Sequence, residues 1–255
     1  IIEFKEKPKG AELEAMRVDT QKFGLSEAEA AKRPFLASMG IYVFNYKRLA
    51  ELLQQDGAWM DFGREVIPEA IKTGNVQAHL FNDYWEDIGT IRAFYQASLD
   101  LASPLPQFNF FDAEAPIYTR SRHLPPSKLH DSNVTESLIS EGCIINGATI
   151  KRSVVGLRSR IDRATRIEDS ILMGADSYQT IEELNVDRKN GVPHIGIGEN
   201  TIIKKAIIDK NARIGANVKI INQHNDDNKD GANFYIREGI VMIPKNAMVK
   251  DNTII

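Results

Sequence analysis

Asp87 stands in the run Tyr84-Trp85-Glu86-Asp87-Ile88-Gly89-Thr90, where an expected strand meets an expected helix, and a carboxylate so placed can hold a metal ion. Upstream, Val76 to Phe81 alternates apolar and polar residues as a half-buried strand does. Downstream, Ile91, Phe94, Tyr95, Ser98 and Leu101 recur at helical spacing behind Thr90, a suitable N-cap. Asp87 would then lie at a strand's carboxyl end, where α/β sheets bind ligands, or would serve to cap the helix. Glu6-Lys7-Pro8 follows a second expected strand, Ile1 to Lys5. A lysine at a strand end can neutralise a phosphate and a glutamate can accept sugar hydroxyls, although the same residues are common surface chemistry. In Ser38-Met39-Gly40, glycine permits close approach of a ligand and serine offers a hydrogen bond; a simple bulge would use the same residues.

The elements that must position these groups change character along the chain. Residues 1–101 alternate strand and helix patterns, the signature of an α/β domain. Phe35 to Phe44 is nearly continuous in apolar residues, as expected for a strand buried on both faces. Asn45 caps a helix carrying Leu49, Leu52 and Leu53; Asp61 opens another with Val66, Ile67 and Ile71, which Gly74 ends. Asp61-Phe62-Gly63 has the letters of a kinase magnesium motif, but no catalytic-loop motif precedes it and its surroundings are helical. Prolines from Pro104 to Pro126 mark residues 102–126 as a linker.

Residues 127–255 keep a different rhythm. Leu138, Ile144 and Ile150 are six apart; Val155, Ile161 and Ile167 resume the beat after a one-residue slip. Ile202, Ile208, Ile214 and Ile220 continue it, and Ile243, Val249 and Ile255 close it. Six is the repeat of a parallel β-helix, in which each hexad supplies a short strand and a corner. Glycines follow Ile195, Ile197 and Ile214, where the backbone must turn. Two polar interruptions, around Ser177 to Val192 and Asn222 to Gly231, are expected as surface loops.

Composition sets the outer bounds. With 255 residues, 42% hydrophobic and 26% charged, the chain has the mixture of a soluble protein of two ordinary domains. A net charge of -3 argues against a general nucleic-acid-binding surface, and no apolar stretch reaches membrane-spanning length. The single cysteine, Cys143, lies in an apolar run and is expected as a core thiol in a reducing compartment. Ile1 opens directly into a strand pattern without an initiator methionine, as expected of part of a longer protein.

The segments Glu6-Lys7-Pro8, Phe35 to Phe44, Asp61-Phe62-Gly63 and Trp85 to Thr90, followed by a hexad repeat, resemble the sugar-1-phosphate nucleotidyltransferases. Within them the likeness is to the ADP-glucose pyrophosphorylases (glucose-1-phosphate adenylyltransferases). Ser153 to Ser159 and Ala206 to Gly215 look like the cyanobacterial and plant branch. The resemblance implies the carboxyl-terminal part of a Rossmann-like nucleotidyltransferase domain at 1–101. A left-handed parallel β-helix of hexapeptide repeats, for regulation and oligomerisation, would occupy 127–255. It implies transfer of adenylyl from ATP to glucose 1-phosphate, with pyrophosphate leaving and Mg2+ offsetting phosphate charge, in glycogen or starch synthesis.

By that likeness Glu6 and Ser38 hold the glucose, Lys7 its phosphate and Asp87 the metal, with Asp61 a further sugar-site candidate. Lys210 and Lys245 match lysines that bind the activator 3-phosphoglycerate, and Arg120 and Arg122 lie where inorganic phosphate inhibits. The family's glycine-rich nucleotide loop and second metal-binding aspartate have no counterpart here, so these 255 residues are not expected to catalyse alone. A homo- or heterotetramer is implied, located in the cytoplasm of a bacterium or the plastid stroma of a plant. Two other readings share the pattern: a non-catalytic regulatory subunit, and a hexapeptide-repeat acyltransferase. The latter needs a catalytic histidine, which His130, His194 and His224 do not convincingly supply.

Overall fold

The computed structural model describes residues 1–54 and 59–255. From the linker onward, three columns of aliphatic side chains organise the chain. Leu129, Ile145, Ile161, Ile197, Ile214 and Val249 lie in register across one parallel sheet. Val134, Ile150, Ile167, Ile203 and Ile220 do so across a second. Ile139, Val155, Leu172, Ile208 and Ile243 do so across a third. Each coil contributes one short strand to each sheet, and rungs at the ~4.8 Å strand spacing bring like residues into contact. Ile145, Ile150, Ile161, Ile167, Ile203, Ile214 and Ile220 are completely buried. Burial of each contributes about 1.5–3 kcal/mol.

The phase differs from the expected one at several rungs. Ile145, not Ile144, points inward; Ile144 is 39% exposed. Likewise Ile139 and Ile203, rather than Leu138 and Ile202, belong to the columns. Successive strand residues face opposite ways, so a one-residue error flips the face, and adjacent aliphatics conceal it. Corners of five as well as six residues are accommodated, since Ile145, Ile150 and Val155 are all inward.

Corners depend on left-handed backbone and on small polar residues. Asn211, Asn217, Asn246 and Asn252 all have φ between 57° and 62°, a region asparagine tolerates better than most residues. They stack in pairs, Asn211 donating to Asn246 and Asn217 to Asn252, each at 3.2 Å. At another corner the hydroxyls of Ser137, Ser153 and Ser170 accept the backbone N–H groups of Ser153, Ser170 and Ala206 one coil on. Those buried donors are thereby satisfied. Cys143 sits inside this core as expected, and burial pushes its thiol pKa up.

The two interruptions are not plain loops. The first contains the helix Ile181–Lys189, opened by a capping box of Thr180 and Glu183. The second carries the strand Asn228–Asp230, which pairs antiparallel with Tyr235–Arg237, itself paired antiparallel with Ile240–Ile243. Both were hidden by polar composition, which hexad periodicity does not interpret.

Helix Ile91–Asp100 forms as expected, with Thr90 Oγ1 accepting the Ala93 N–H at 3.1 Å. It lies on the outer face of the third sheet, where Tyr95 packs with Ile171, Ile207 and Ile240. Tyr95 donates its hydroxyl to the Asp169 carbonyl at 2.5 Å, and burial pushes its pKa up to about 12. Contacts accordingly divide the chain into Ile1–Asn82 and Asp83–Ile255, grouping this helix with the β-helix.

In Ile1–Asn82 the expected helices form. Asn45 accepts from Lys47 N and Arg48 N before Tyr46–Gln54, and Asp61 accepts from Arg64 N before a π turn, Phe62–Val66, that runs into Ile67–Thr73. Leu52, Val66 and Ile67 are buried. Ile1 to Lys5, Phe35 to Phe44 and Val76 to Phe81 run without helix or ladder, so the expected strands are not formed among the described residues. Nor is Phe35 to Phe44 buried on both faces, since Val43 is 98% exposed. A strand requires a hydrogen-bonded neighbour, and an apolar run does not supply one. The Ile1 backbone nitrogen, donating to the Val76 carbonyl at 2.7 Å, links two of these segments.

Candidate functional site

Glu6 and Lys7 emerge at the end of the first extended segment, with Lys7 at a positive φ of 49°. Their charged groups are 3.6 Å apart; the lysine side chain is 84% exposed and the glutamate 28%. Glu6 lies against Gly63, where an added Cβ would overlap its carboxylate. The Asp61-Phe62-Gly63 turn thus packs directly against Glu6.

Asp61 itself is engaged as a cap, its Oδ1 accepting the Arg64 N–H at 2.8 Å. Glu65 secures the same turn by accepting the N–H groups of Met60 and Asp61 at 2.7 and 2.9 Å. That explains why an acidic residue opens this helix, without requiring a ligand.

Ser38 lies in a tight turn made possible by Gly40 at φ 71°. Its Oγ accepts the Gly40 N–H at 3.1 Å and shares a 2.9 Å hydrogen bond with the Tyr42 hydroxyl. Tyr42 neighbours Phe44, which meets Phe62 edge to face at 6.0 Å. An aromatic chain therefore connects the Ser38 turn to the Asp61 turn. Aromatic spacing within the sequence carries no signal of that pairing.

Asp87 is exposed, and no strand precedes it among the described residues. Its Oδ1 accepts the Gly89 N–H at 2.9 Å, closing a small turn, while Thr90 caps the helix. Thr90, not Asp87, is therefore the N-cap, and Asp87 shapes the turn that leads into it. Its second carboxylate oxygen has no hydrogen bond among the described residues. Among those residues there is no cluster of three His, Cys, Asp or Glu suited to a metal ion.

Lys210 and Lys245 are brought together by the β-helix. Lys210 Nζ lies 2.9 Å from Asp176 Oδ1, and Lys245 Nζ lies 3.2 Å from Asp176 Oδ2. Asn211 also donates to Asp176, at 3.0 Å, and its carbonyl oxygen accepts the Asp176 N–H at 2.8 Å. The hydrogen bond from Lys210, then those from Asn211 and Lys245, hold the Asp176 carboxyl far below the ordinary carboxylate range. Asp176 was missed in sequence, because its only signal is its place four residues past an inward leucine.

Arg120 and Arg122 lie exposed in the segment before the first β-helix strand, and Arg122 donates to the Arg120 carbonyl at 2.9 Å. Neither forms an ion pair among the described residues. Several cations of the β-helix are paired instead: Arg152 with Asp169, Lys204 with Glu168, and Arg213 with Asp187.

His194 fastens the first interruption to the β-helix. Its Nε2 faces Asp162 and its Nδ1 the Ile195 carbonyl, both at 2.9 Å. Burial pushes the Asp162 carboxyl up, but the hydrogen bond and charge of His194, then Arg160, outweigh it and leave the pKa below its ordinary value. Asp187 is lowered by Arg213 and by the Gln179 amide. Both ring nitrogens of His194 are occupied by structural partners, which leaves neither to act as an acyl-transfer base.

Comparison with known proteins gives the two halves in the same order. Residues 1–103 match the family described as nucleotidyl transferase, and residues 122–254 match the GLGC left-handed parallel β-helix domain. The chain is 52% identical over 262 residues to the glucose-1-phosphate adenylyltransferase small subunit, chloroplastic/amyloplastic, of Triticum aestivum. That similarity covers 100% of this chain and 55% of the wheat protein, so the chain spans about half its relative's length.

Proposed function

The chain belongs to the family of the GLGC left-handed parallel β-helix domain, here preceded by a nucleotidyl transferase segment, and on that premise we propose that it forms part of a glucose-1-phosphate adenylyltransferase. The observation that carries the proposal is the 52% identity to the wheat small subunit across the whole of this chain. The reaction joins ATP and glucose 1-phosphate into ADP-glucose for starch or glycogen. A phosphate oxygen of glucose 1-phosphate bonds to the α-phosphorus of ATP as the bond to the bridging oxygen breaks and pyrophosphate leaves. No protein nucleophile is required, so the side chains work by position and charge.

Lys7 neutralises the sugar phosphate, and its 84% exposure supports access to a ligand. Glu6 and Ser38 accept and donate hydrogen bonds to glucose hydroxyls, with Asp61 shaping the turn beside Glu6. Asp87 would hold Mg2+, an ion that suits one or two carboxylates plus substrate phosphates and supplies charge neutralisation when bound. Its exposed carboxylate, with one oxygen free of hydrogen bonds among the described residues, fits that share of the ligand set.

The regulatory reading assigns Lys210 and Lys245 to an activating phospho-carboxylate such as 3-phosphoglycerate, and Arg120 and Arg122 to inhibitory phosphate. The convergence of the two lysines supports the first assignment. Assembly into a homo- or heterotetramer, and residence in the cytoplasm of a bacterium or the plastid stroma of a plant, follow the family likeness; the wheat relative is described as a chloroplastic/amyloplastic small subunit. No helix among the described residues is long and apolar enough to cross a membrane.

The test is pyrophosphate release by the full-length protein from ATP and glucose 1-phosphate with Mg2+. ADP-glucose should form, and Lys7→Ala should raise the KM for glucose 1-phosphate; absence of ADP-glucose refutes the proposal.

A further inference from the structure

Asp176, Lys210 and Lys245 come from three successive coils. The strands preceding them place Leu172, Ile208 and Ile243 in register, and the three charged residues follow at the same corner. Two ammonium groups on adjacent rungs repel, and the Asp176 carboxylate between them offsets that repulsion, one oxygen to each. Asn211 orients the carboxylate by donating to Oδ2, and its own side chain is tied to Asn246. Arg158 adds a further cation near this corner, donating to the Ala175 carbonyl at 3.4 Å and lying over the Tyr178 ring.

All three members of the clamp are about half exposed, so an anion from solution can reach the lysines. Exposed ion pairs of this kind are weak and exchangeable. A singly charged carboxylate entering here would replace one carboxylate by another, with no gain in charge neutralisation. A dianion would neutralise both lysines with one group and still leave Asp176 free to turn to water. Selectivity of this type arises from a competing group built against the wrong ligand.

We propose that Asp176 is a specificity-determining residue of the Lys210–Lys245 anion site, an internal carboxylate that excludes monoanions and admits dianionic phosphate or phospho-carboxylate ligands. The inference rests on the reading of these lysines as an anion site and goes beyond it in naming what sets the charge threshold.

The experiment is site-resolved protection of Lys210 and Lys245 from reductive methylation in the full-length protein, read by mass spectrometry. Inorganic phosphate and acetate are the probes, at constant ionic strength and above the second pKa of phosphate. Phosphate should protect both lysines of the wild type, and acetate should not. In Asp176→Asn, which retains an oxygen for Asn211, phosphate should protect at roughly three- to ten-fold lower concentration, and acetate should begin to protect. Asp176→Glu should restore wild-type discrimination, an outcome that a merely structural role would not produce. If phosphate protects the wild type but Asp176→Asn, with an unchanged melting curve, shows equal or weaker protection, the role of Asp176 is overturned. If phosphate protects neither lysine of the wild type, the anion-site reading itself fails.

Discussion

The Glu6 carboxylate occupies the volume that a side chain on residue 63 would take, so Gly63 and Glu6 are steric complements. The backbone of Gly63 is not in the left-handed region, and its absent side chain matters for space alone. Gly63→Ala should therefore leave the fold largely intact while displacing Glu6. In the full-length enzyme, the KM for glucose 1-phosphate should rise about ten-fold or more, the scale of a lost hydrogen bond to a charged group. Steady-state kinetics beside a melting curve checks this; an unchanged KM would remove Glu6 from the sugar site.

Lys245 and Lys210 share one carboxylate, so losing either ammonium should weaken an anion held by both. In Lys245→Ala the concentration of 3-phosphoglycerate giving half-maximal activation should rise several-fold, with activity in its absence preserved. Activation titrations of the full-length enzyme decide the point, and an unchanged activation constant would exclude the residue from the site.

The inward register makes a sharp comparison possible. Ile161 is completely buried in its column, whereas Ile144 is 39% exposed. Ile161→Ala should cost about 2–5 kcal/mol, by lost transfer energy and the cavity left behind. Ile144→Ala should change stability by no more than about 0.5 kcal/mol. Denaturant unfolding of the two variants tests the one-residue phase directly.

Acid should loosen the attachment of the first interruption. Asp162 and Asp187 both have folded-state pKa values below their ordinary ones. A depressed carboxylate contributes stability that is fully present above the unfolded value, about 3.9, and is lost as pH falls through the folded value. The melting temperature should hold near neutrality and fall below about pH 4. Asp162→Asn should lower the melting temperature at neutral pH and flatten that acid dependence, which thermal melts across pH would reveal.

Local signals carried the expectations that proved legible in the sequence. Asn45, Asp61 and Thr90 each cap the helix they precede, because a side-chain oxygen one residue before a helix reaches its first free N–H groups whatever the rest of the chain does. The six-residue repeat likewise announced a β-helix, since each coil must present an aliphatic residue to its neighbours. Of the candidate site, the residue types at Glu6, Lys7, Ser38 and Asp87 were legible. Their surroundings, such as Gly63 against Glu6 and Tyr42 beside Ser38, were not.

The sequence by itself determined the local elements and the alternation of aliphatic and polar positions, which depend on near neighbours and on the period of the backbone. Only the tertiary structure decided what each strand-like segment meets. Phe35 to Phe44 has a strand's composition yet finds no ladder among the described residues, because pairing belongs to two segments and not to one. The β-helix register chose Ile145 over Ile144, since stacking on Ile161 buries one and exposes the other. The same stacking set Asp176 between Lys210 and Lys245. Residues 34 and 35 positions apart became adjacent because successive coils lie a single strand spacing from one another.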